Sequence, residues 1–171
     1  AHGYNNIATL YRAQGDYDKA MEYYRKALEL KEELGDKSGM ALSYNNMGIV
    51  YKDQGDYPKA LDYYQKSLKL FEELGNKRRM ASNYNNIGIV YRMQGDYPQA
   101  LKYYQKSLNI KEELGDKRRM ASNYNNIGII YRIQGDYSQA LDYYLKSLKI
   151  KKELGDKSGM AVSYNNIGNI Y

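Results

Sequence analysis

Residues 43–57 read Ser-Tyr-Asn-Asn-Met-Gly-Ile-Val-Tyr-Lys-Asp-Gln-Gly-Asp-Tyr, and close copies of this stretch return every forty residues. The Tyr-Asn-Asn triplet begins at Tyr4, Tyr44, Tyr84, Tyr124 and Tyr164, and Gly-Asp-Tyr begins at Gly15, Gly55, Gly95 and Gly135. When Met80–Arg119 is placed over Met120–Gly159, 31 of the 40 positions are identical. Because so short a unit cannot bury its own apolar face, this fixed period predicts a stacked helical-repeat array.

The composition of the 171 residues excludes several functional classes. Cysteine is absent, which excludes a disulfide framework, a thiolate zinc site and a cysteine nucleophile. No apolar run approaches the roughly 18 residues that span a bilayer, and the first residues lack the pattern of a secretory signal. We therefore expect a cytoplasmic protein. The net charge of +6 is a small basic excess that identifies no partner.

Each unit is predicted to form two helices joined by a tight turn. In the second unit, helical spacing relates Tyr44, Met47, Gly48 and Tyr51. Gly55 ends that helix, and Asp56 begins the next one by accepting hydrogen bonds from free N–H groups. The second helix stops at Gly75, and the cap that follows is Asp36, Asn76, Asp116 or Asp156 in the successive units. Since both Asp and Asn cap well, the Asn fits capping better than it fits chemistry.

These patterns predict an all-α protein with one continuous domain, residues 1–171. We expect four helical hairpins, followed by one further first helix that has no second helix after it. The predicted boundaries are approximately 1–35, 36–75, 76–115, 116–155 and 156–171.

The motif residues of the second unit resemble the tetratricopeptide repeat. The pattern is Tyr44-x-x-Met47-Gly48-x-x-Tyr51-x-x-x-Gly55-Asp56-Tyr57-x-x-Ala60-x-x-x-Tyr64-x-x-Ser67. The unit exceeds the family's usual length of about 34 residues, and Tyr stands where the family has Trp. This longer variant is similar to the repeats of the Pins/LGN spindle-orientation adaptors and of many bacterial signalling proteins. The resemblance implies a right-handed α-solenoid that acts as a protein-interaction scaffold.

An enzyme is difficult to build from these residues. General acid–base work at neutral pH favours histidine, and the one histidine, His2, stands in the irregular start of the chain. Asp16 and its equivalents read as helix caps, and Glu32 and Glu33 are predicted on solvated helix ends. No Gly-rich phosphate loop is present. We therefore predict no catalytic activity, no cofactor and no metal site.

The outer face of the first helix is the predicted working surface. The resemblance implies that this face lines a concave groove. Stacking then aligns asparagines in two ladders: Asn5, Asn45, Asn85, Asn125 and Asn165 in one, and Asn6, Asn46, Asn86, Asn126 and Asn166 in the other. A side-chain amide offers the donors and the acceptor that match a peptide backbone. Related arrays use the second Asn of such a pair, which favours Asn46, Asn86 and Asn126. The alternative is that the amides bridge neighbouring first helices.

Other residues on this face predict the character of a ligand. Ile49, Ile89 and Ile129 place an apolar stripe among the amides, unless they contact the next repeat instead. The cations are Arg78 and Arg118 at the start of the first helix, and Lys52, Arg92 and Arg132 near its end. Arg pairs with carboxylates through two donors, so we predict an extended peptide with spaced apolar and acidic side chains. The carboxylate clamp of chaperone-binding relatives is not reproduced, which disfavours chaperone tails.

Two other functions stay open at this point. The basic charge and the polar face resemble those of RNA-reading helical arrays, although Lys and Arg are spread over the unit beside many Glu. A self-assembling scaffold is the other, because Ile167, Gly168 and Tyr171 would face a missing neighbour. The same truncation suggests a piece of a longer protein, natural or engineered.

Overall fold

The computed structural model describes residues 2–170, without the side chain of His2, and this part of the chain contains nine helices and no strand. The helices are α1 (His2–Ala13), α2 (Tyr17–Glu33), α3 (Lys37–Asp53), α4 (Tyr57–Glu73), α5 (Lys77–Met93), α6 (Tyr97–Glu113), α7 (Lys117–Ile133), α8 (Tyr137–Glu153) and α9 (Lys157–Gly168). The predicted all-α fold class is confirmed. Tyr171, which the sequence places on an unpaired face, lies outside the described residues.

Capping residues and glycines set the ends of the helices. The Asp56 carboxylate accepts from the backbone N–H of Lys59 at 3.2 Å, and the Asn76 amide oxygen accepts from that of Arg79 at the same distance. Asn76 therefore caps a helix as predicted. The turn before each cap contains a glycine with positive φ, such as Gly55 at 79° and Gly75 at 62°. Residues other than glycine rarely adopt this conformation, so the repeated glycines end each of the helices α2 to α8 after 17 residues.

The chain divides into two compact units, residues 1–90 and 91–171, and the division falls within α5. In the first unit α1 packs on α2, α2 on α3, and α3 on α4. In the second unit α6 packs on α7, α7 on α8, and α8 on α9. Each unit thus consists of helices that pack on their neighbours in the chain. The repeat boundaries and the single-domain organisation given above stay predictions.

Small residues allow the two helices of a hairpin to approach closely. In the first unit, a Cβ added to Gly48 would lie 2.8 Å from the ring of Tyr64, which is fully buried. In the second unit, a Cβ on Gly128 would lie 2.7 Å from the ring of Tyr144. Ala60 and Ala140 are also fully buried. The glycine of the motif is therefore required by the aromatic ring that packs on it.

Most tyrosines pack within the hairpins. Tyr24, Tyr64, Tyr104 and Tyr144 are at most 1% exposed. A second set forms half-buried stacks within hairpins; for example, the rings of Tyr51 and Tyr63 are 5.3 Å apart. Stacked aromatic rings contribute packing energy beyond their buried area. These side chains thus hold the hairpins together rather than forming a reactive site.

Three lysines near the ends of second helices are buried, which the sequence pattern does not predict. Lys31, Lys111 and Lys151 are 3%, 4% and 8% exposed, although they stand beside solvated glutamates. Lys31 Nζ donates to Ser43 Oγ at 2.7 Å, and Lys151 Nζ donates to Ser163 Oγ at 2.9 Å. Burial lowers the pKa of all three ammonium groups, in the case of Lys111 to about 8.

Phe71 occupies the equivalent position in the remaining hairpin and is 1% exposed. An aromatic ring is therefore accepted where the other hairpins bury a lysine.

Candidate peptide-binding surface

The predicted asparagines of the first unit lie on α1, α3 and α5. Asn5, Asn45, Asn46, Asn85 and Asn86 are half-buried, and Asn6 is exposed. The asparagine pairs of α3 and α5 are followed directly by the buried residues Met47 and Ile87. The amides therefore border the packed side of the first helix and stay partly accessible.

Amide bridges join first helices of consecutive hairpins. In the first unit, Nδ2 of Asn86 donates to Oδ1 of Asn45 at 3.0 Å, linking α5 to α3. In the second unit, Nδ2 of Asn166 donates to Oδ1 of Asn125 at 2.7 Å, linking α9 to α7. Bridging is therefore present at these two pairs. Each bridge uses one of the two N–H groups of the donor amide, so donors and an acceptor remain for a ligand.

A cleft in the second unit contains two of the predicted asparagines. It has a volume of about 430 Å³ and lies between α7 and α9. Asn125, Asn126 and Ser122 line one wall, and Ser158 and Val162 line the other. Val162 is 50% exposed, so the cleft offers an apolar contact beside polar groups. A mixed lining of this kind suits a peptide segment, which presents backbone amides and side chains together.

Cleft residues that the sequence analysis missed include Ser122, Ser158, Val162 and the buried Lys151. Gly159 leaves space for the Asp156 carboxylate and for the aliphatic chain of Lys151, since a Cβ there would overlap that carboxylate and lie 3.0 Å from the lysine Cδ. A sequence signal for these residues was the pattern Ser-Gly-Met-Ala-x-Ser, which occurs in two units, at residues 38–43 and 158–163.

The apolar residues predicted on this face are only partly accessible. Ile49, Ile89 and Ile129 are half-buried. Met93 and Ile133, one turn further along their helices, are 45% exposed. The face therefore carries apolar groups that a ligand can reach, most openly near the ends of α5 and α7.

The predicted cations differ in their surroundings. Arg78 and Arg118 are exposed at the starts of α5 and α7. Lys52 Nζ lies 2.9 Å from Oδ1 of Asp53, so its charge is compensated within the chain.

Arg92 and Arg132 lie instead near buried tyrosine hydroxyls. Burial raises the pKa of Tyr104 and of Tyr144. The positive charge of Arg92 and a hydrogen bond with its side chain oppose the rise at Tyr104, and a hydrogen bond with Arg132 and its charge oppose the rise at Tyr144. Neither arginine forms an ion pair with any residue in the described part of the chain.

Metal binding and membrane insertion find no support among residues 2–170. In that range, no cluster of three or more metal-ligating side chains is present. None of the described helices combines the length and the apolar character needed to cross a bilayer. The side chain of His2 lies outside this description.

The chain is a helical-repeat protein: its hairpins recur, and their first helices carry asparagine pairs such as Asn45 and Asn46 on one face, the amide-bearing face. The family model described as tetratricopeptide repeat matches residues 1–73, 39–113, 79–153 and 119–171. These overlapping matches span the whole chain, and the chain belongs to the tetratricopeptide repeat family. The resemblance predicted from the sequence is thus confirmed, whereas the narrower likeness to Pins/LGN adaptors stays a prediction. No curated protein sequence matches the chain.

Several solved structures are similar to this chain. BtubC (BKLC) from P. vanneervenii has a TM-score of 0.86 at 27% identity, over 96% of this chain and 69% of that one. Aspartyl phosphate phosphatase F from Bacillus subtilis has a TM-score of 0.88 at 20% identity, over 94% of this chain and 42% of that one. The apo form of RapI has a TM-score of 0.84 at 20% identity, over 98% and 46%. The last two similarities show the fold alone, and this chain spans less than half of those proteins.

Proposed function

We propose that this protein is a non-catalytic protein-interaction scaffold that binds an extended peptide segment of another protein along the amide-bearing face. The observation that carries the proposal is the cleft of the second unit, which is lined by Asn125 and Asn126. Membership of the tetratricopeptide repeat family supports the general role in protein interaction.

The remaining hydrogen-bonding capacity of the amides suits a peptide backbone. In the first unit, Asn45 keeps its Nδ2 group and Asn86 keeps its Oδ1 atom beside the bridge that joins them. A backbone N–H and C=O match these groups whatever the ligand sequence is. Apolar side chains of the ligand would contact the exposed parts of Met93 and Ile133 and so add selectivity.

Binding through these amides is tested with peptides selected from a random library. Asn46→Ala, Asn86→Ala and Asn126→Ala are then combined in one variant. An amide hydrogen bond contributes about 0.5–1.5 kcal/mol, so the triple variant should lose at least about tenfold in affinity. The exposed Asn109 on α6 provides the control, because Asn109→Ala removes an amide from a second helix. Equal affinities in the triple variant and the control would remove the amides from the mechanism.

Pairing of charges favours a peptide over RNA. Several lysines outside the proposed surface are compensated within the chain, for example Lys37 by Glu73 at 2.9 Å and Lys117 by Glu153 at 2.8 Å. Binding to phosphates falls steeply as salt rises, because counterions are released. A shallow salt dependence of the affinity between 50 and 200 mM is expected for the peptide, roughly less than tenfold. Head-to-tail self-association stays a prediction, to be checked by light scattering.

A further inference from the structure

One carboxylate of the first unit neutralises two cations at the ends of first helices. Asp53 Oδ2 lies 2.8 Å from Nη1 of Arg12, and Asp53 Oδ1 lies 2.9 Å from Nζ of Lys52. Arg12 belongs to α1 and Asp53 to α3, so the carboxylate also joins consecutive hairpins. The Asp53 side chain is 23% exposed and its two oxygens are already engaged.

The second unit has the cations of this arrangement without the carboxylate. Arg92 and Arg132 stand where the first unit has Arg12 and Lys52, and Ile133 stands where it has Asp53. Ile133 is 45% exposed, and its aliphatic side chain cannot accept a hydrogen bond. Arg92 Nε is buried and has no hydrogen-bond partner among the described residues.

Three carboxylates of the second unit are paired with other cations. Asp116 is bound by Arg119 at 2.7 Å, Glu153 by Lys117, and Asp142 by Lys146. A buried guanidinium nitrogen without an acceptor is costly, and a charged acceptor removes that cost. The second unit therefore lacks one acceptor at a defined place.

We infer that an Asp or Glu side chain of the bound peptide supplies this acceptor, by contacting Arg92 and Arg132 where Asp53 contacts Arg12 and Lys52. The inference rests on the proposed function and adds a residue preference to it. Two guanidinium groups present paired N–H donors that match a carboxylate. Asp53 then occupies in the first unit the place that the ligand carboxylate takes in the second. The first unit therefore has no preference for an acidic ligand residue at the equivalent place.

Exchanging the residues between units tests the inference. Peptides selected with the unaltered protein are synthesised in pairs that carry Glu or Gln at the enriched position. The unaltered protein should bind the Glu member about tenfold more tightly. In Ile133→Asp, the new carboxylate pairs with Arg92, and the preference should fall to near one. Ile133→Asn is the matched control, since it changes size and polarity without the charge and should keep the preference.

The reverse exchange should move the preference in the opposite direction. Asp53→Ile releases Arg12 and Lys52 in the first unit, so a second acidic position should become enriched in the selection. Equal enrichment of Glu and Gln in all variants would overturn the inference while leaving peptide binding intact.

If the library returns no binder, peptide binding by this surface is refuted. A direct measurement on Arg92 and Arg132 tests the carboxylate contact separately from that result. The Nε–Hε resonances of Arg92 and Arg132 are followed by NMR while an acetylated five-residue peptide with a central Glu is added. These resonances should shift with the Glu peptide and stay unchanged with its Gln counterpart. Inorganic phosphate serves as a second probe. Shifts as large with phosphate as with the Glu peptide would show a general anion site and overturn the assignment.

Discussion

One position of the repeat places a buried asparagine between consecutive hairpins in both units, but the neighbours of this asparagine differ between the units. In the second unit, Asn123 Oδ1 accepts from Lys111 Nζ, and Asn123 Nδ2 donates to the backbone oxygen of Tyr104 at 2.9 Å. In the first unit, the equivalent Asn83 is 1% exposed beside the position of Phe71, and its Oδ1 has no hydrogen-bond partner within the described residues.

The difference shows two ways to fill one position of the repeat, each with its own cost. The lysine satisfies the buried amide but places an ammonium group in a poorly solvated site, where its pKa falls. The phenylalanine buries apolar surface without a charge, but it leaves a carbonyl oxygen unpaired. The fold accepts both because each side chain fills a similar volume between hairpins.

The largest expected effect is a pH dependence of stability that comes from the second unit. Burial disfavours the charge of Lys111 and lowers its pKa from 10.5 to about 8 in the folded protein. The negative charge of Asp116 opposes this decrease, and the positive charge of Arg119 adds to it. Between these values the unfolded chain binds more protons, so the free energy of unfolding should rise as pH rises from 8 towards 10. With about 1.4 kcal/mol per unit of pKa, the rise is at most about 3 kcal/mol.

Urea unfolding at pH 7, 8, 9 and 10 measures this dependence. Lys111→Met removes the titrating group and should flatten the curve, although Lys31 and Lys151 keep a smaller slope because burial lowers the pKa of both. Above pH 10 the buried Tyr104, whose pKa burial raises, reverses the trend. An unchanged slope in Lys111→Met would contradict the assignment.

Asn123→Leu should break the second-unit contact. The substitution leaves the Lys111 ammonium without its acceptor and the Tyr104 carbonyl without its donor. Loss of a buried bond to a charged group costs about 2–3 kcal/mol, which chemical denaturation would detect. A variant as stable as the unaltered protein would show that Lys111 finds another acceptor.

Phe71→Lys should give the first unit the arrangement of the second. The new ammonium can donate to the unpaired Oδ1 of Asn83, but the apolar burial of the ring is lost. Since burying Phe contributes about 1.5–3 kcal/mol and the new bond returns part of it, we expect a net loss of about 1–2 kcal/mol. Thermal unfolding followed by circular dichroism gives the difference, and stability should now increase between pH 8 and 10 more steeply than before.

Asn83→Leu is expected to have the smallest effect and the opposite sign to Asn123→Leu. It removes an amide whose oxygen is unpaired and whose Nδ2 donates to the Arg79 carbonyl of the same helix at 3.2 Å, and it places an apolar side chain next to the position of Phe71. A gain of about 1 kcal/mol in the free energy of unfolding is expected, measured by urea titration beside the second-unit variant. A loss as large as that of Asn123→Leu would mean that the two contacts are equivalent after all.

Much of the fold follows from local sequence. The forty-residue period, the turn glycines such as Gly55, and the caps such as Asn76 act within a few residues, so a single unit predicts its own two helices. The candidate surface follows only in part. Helical spacing predicts that Asn45 and Asn86 share a face, but it does not predict the bond between them, which joins residues 41 positions apart.

The amino-acid sequence alone was sufficient to identify an all-α repeat protein, because the same helix-forming, capping and turn residues recur in every unit. The burial of Lys111 and the contact between the Asp53 carboxylate and Arg12 depended on tertiary packing. Those properties arise where side chains from different helices meet, and the free energy of burying a charge or an amide is set by neighbours that are distant along the chain.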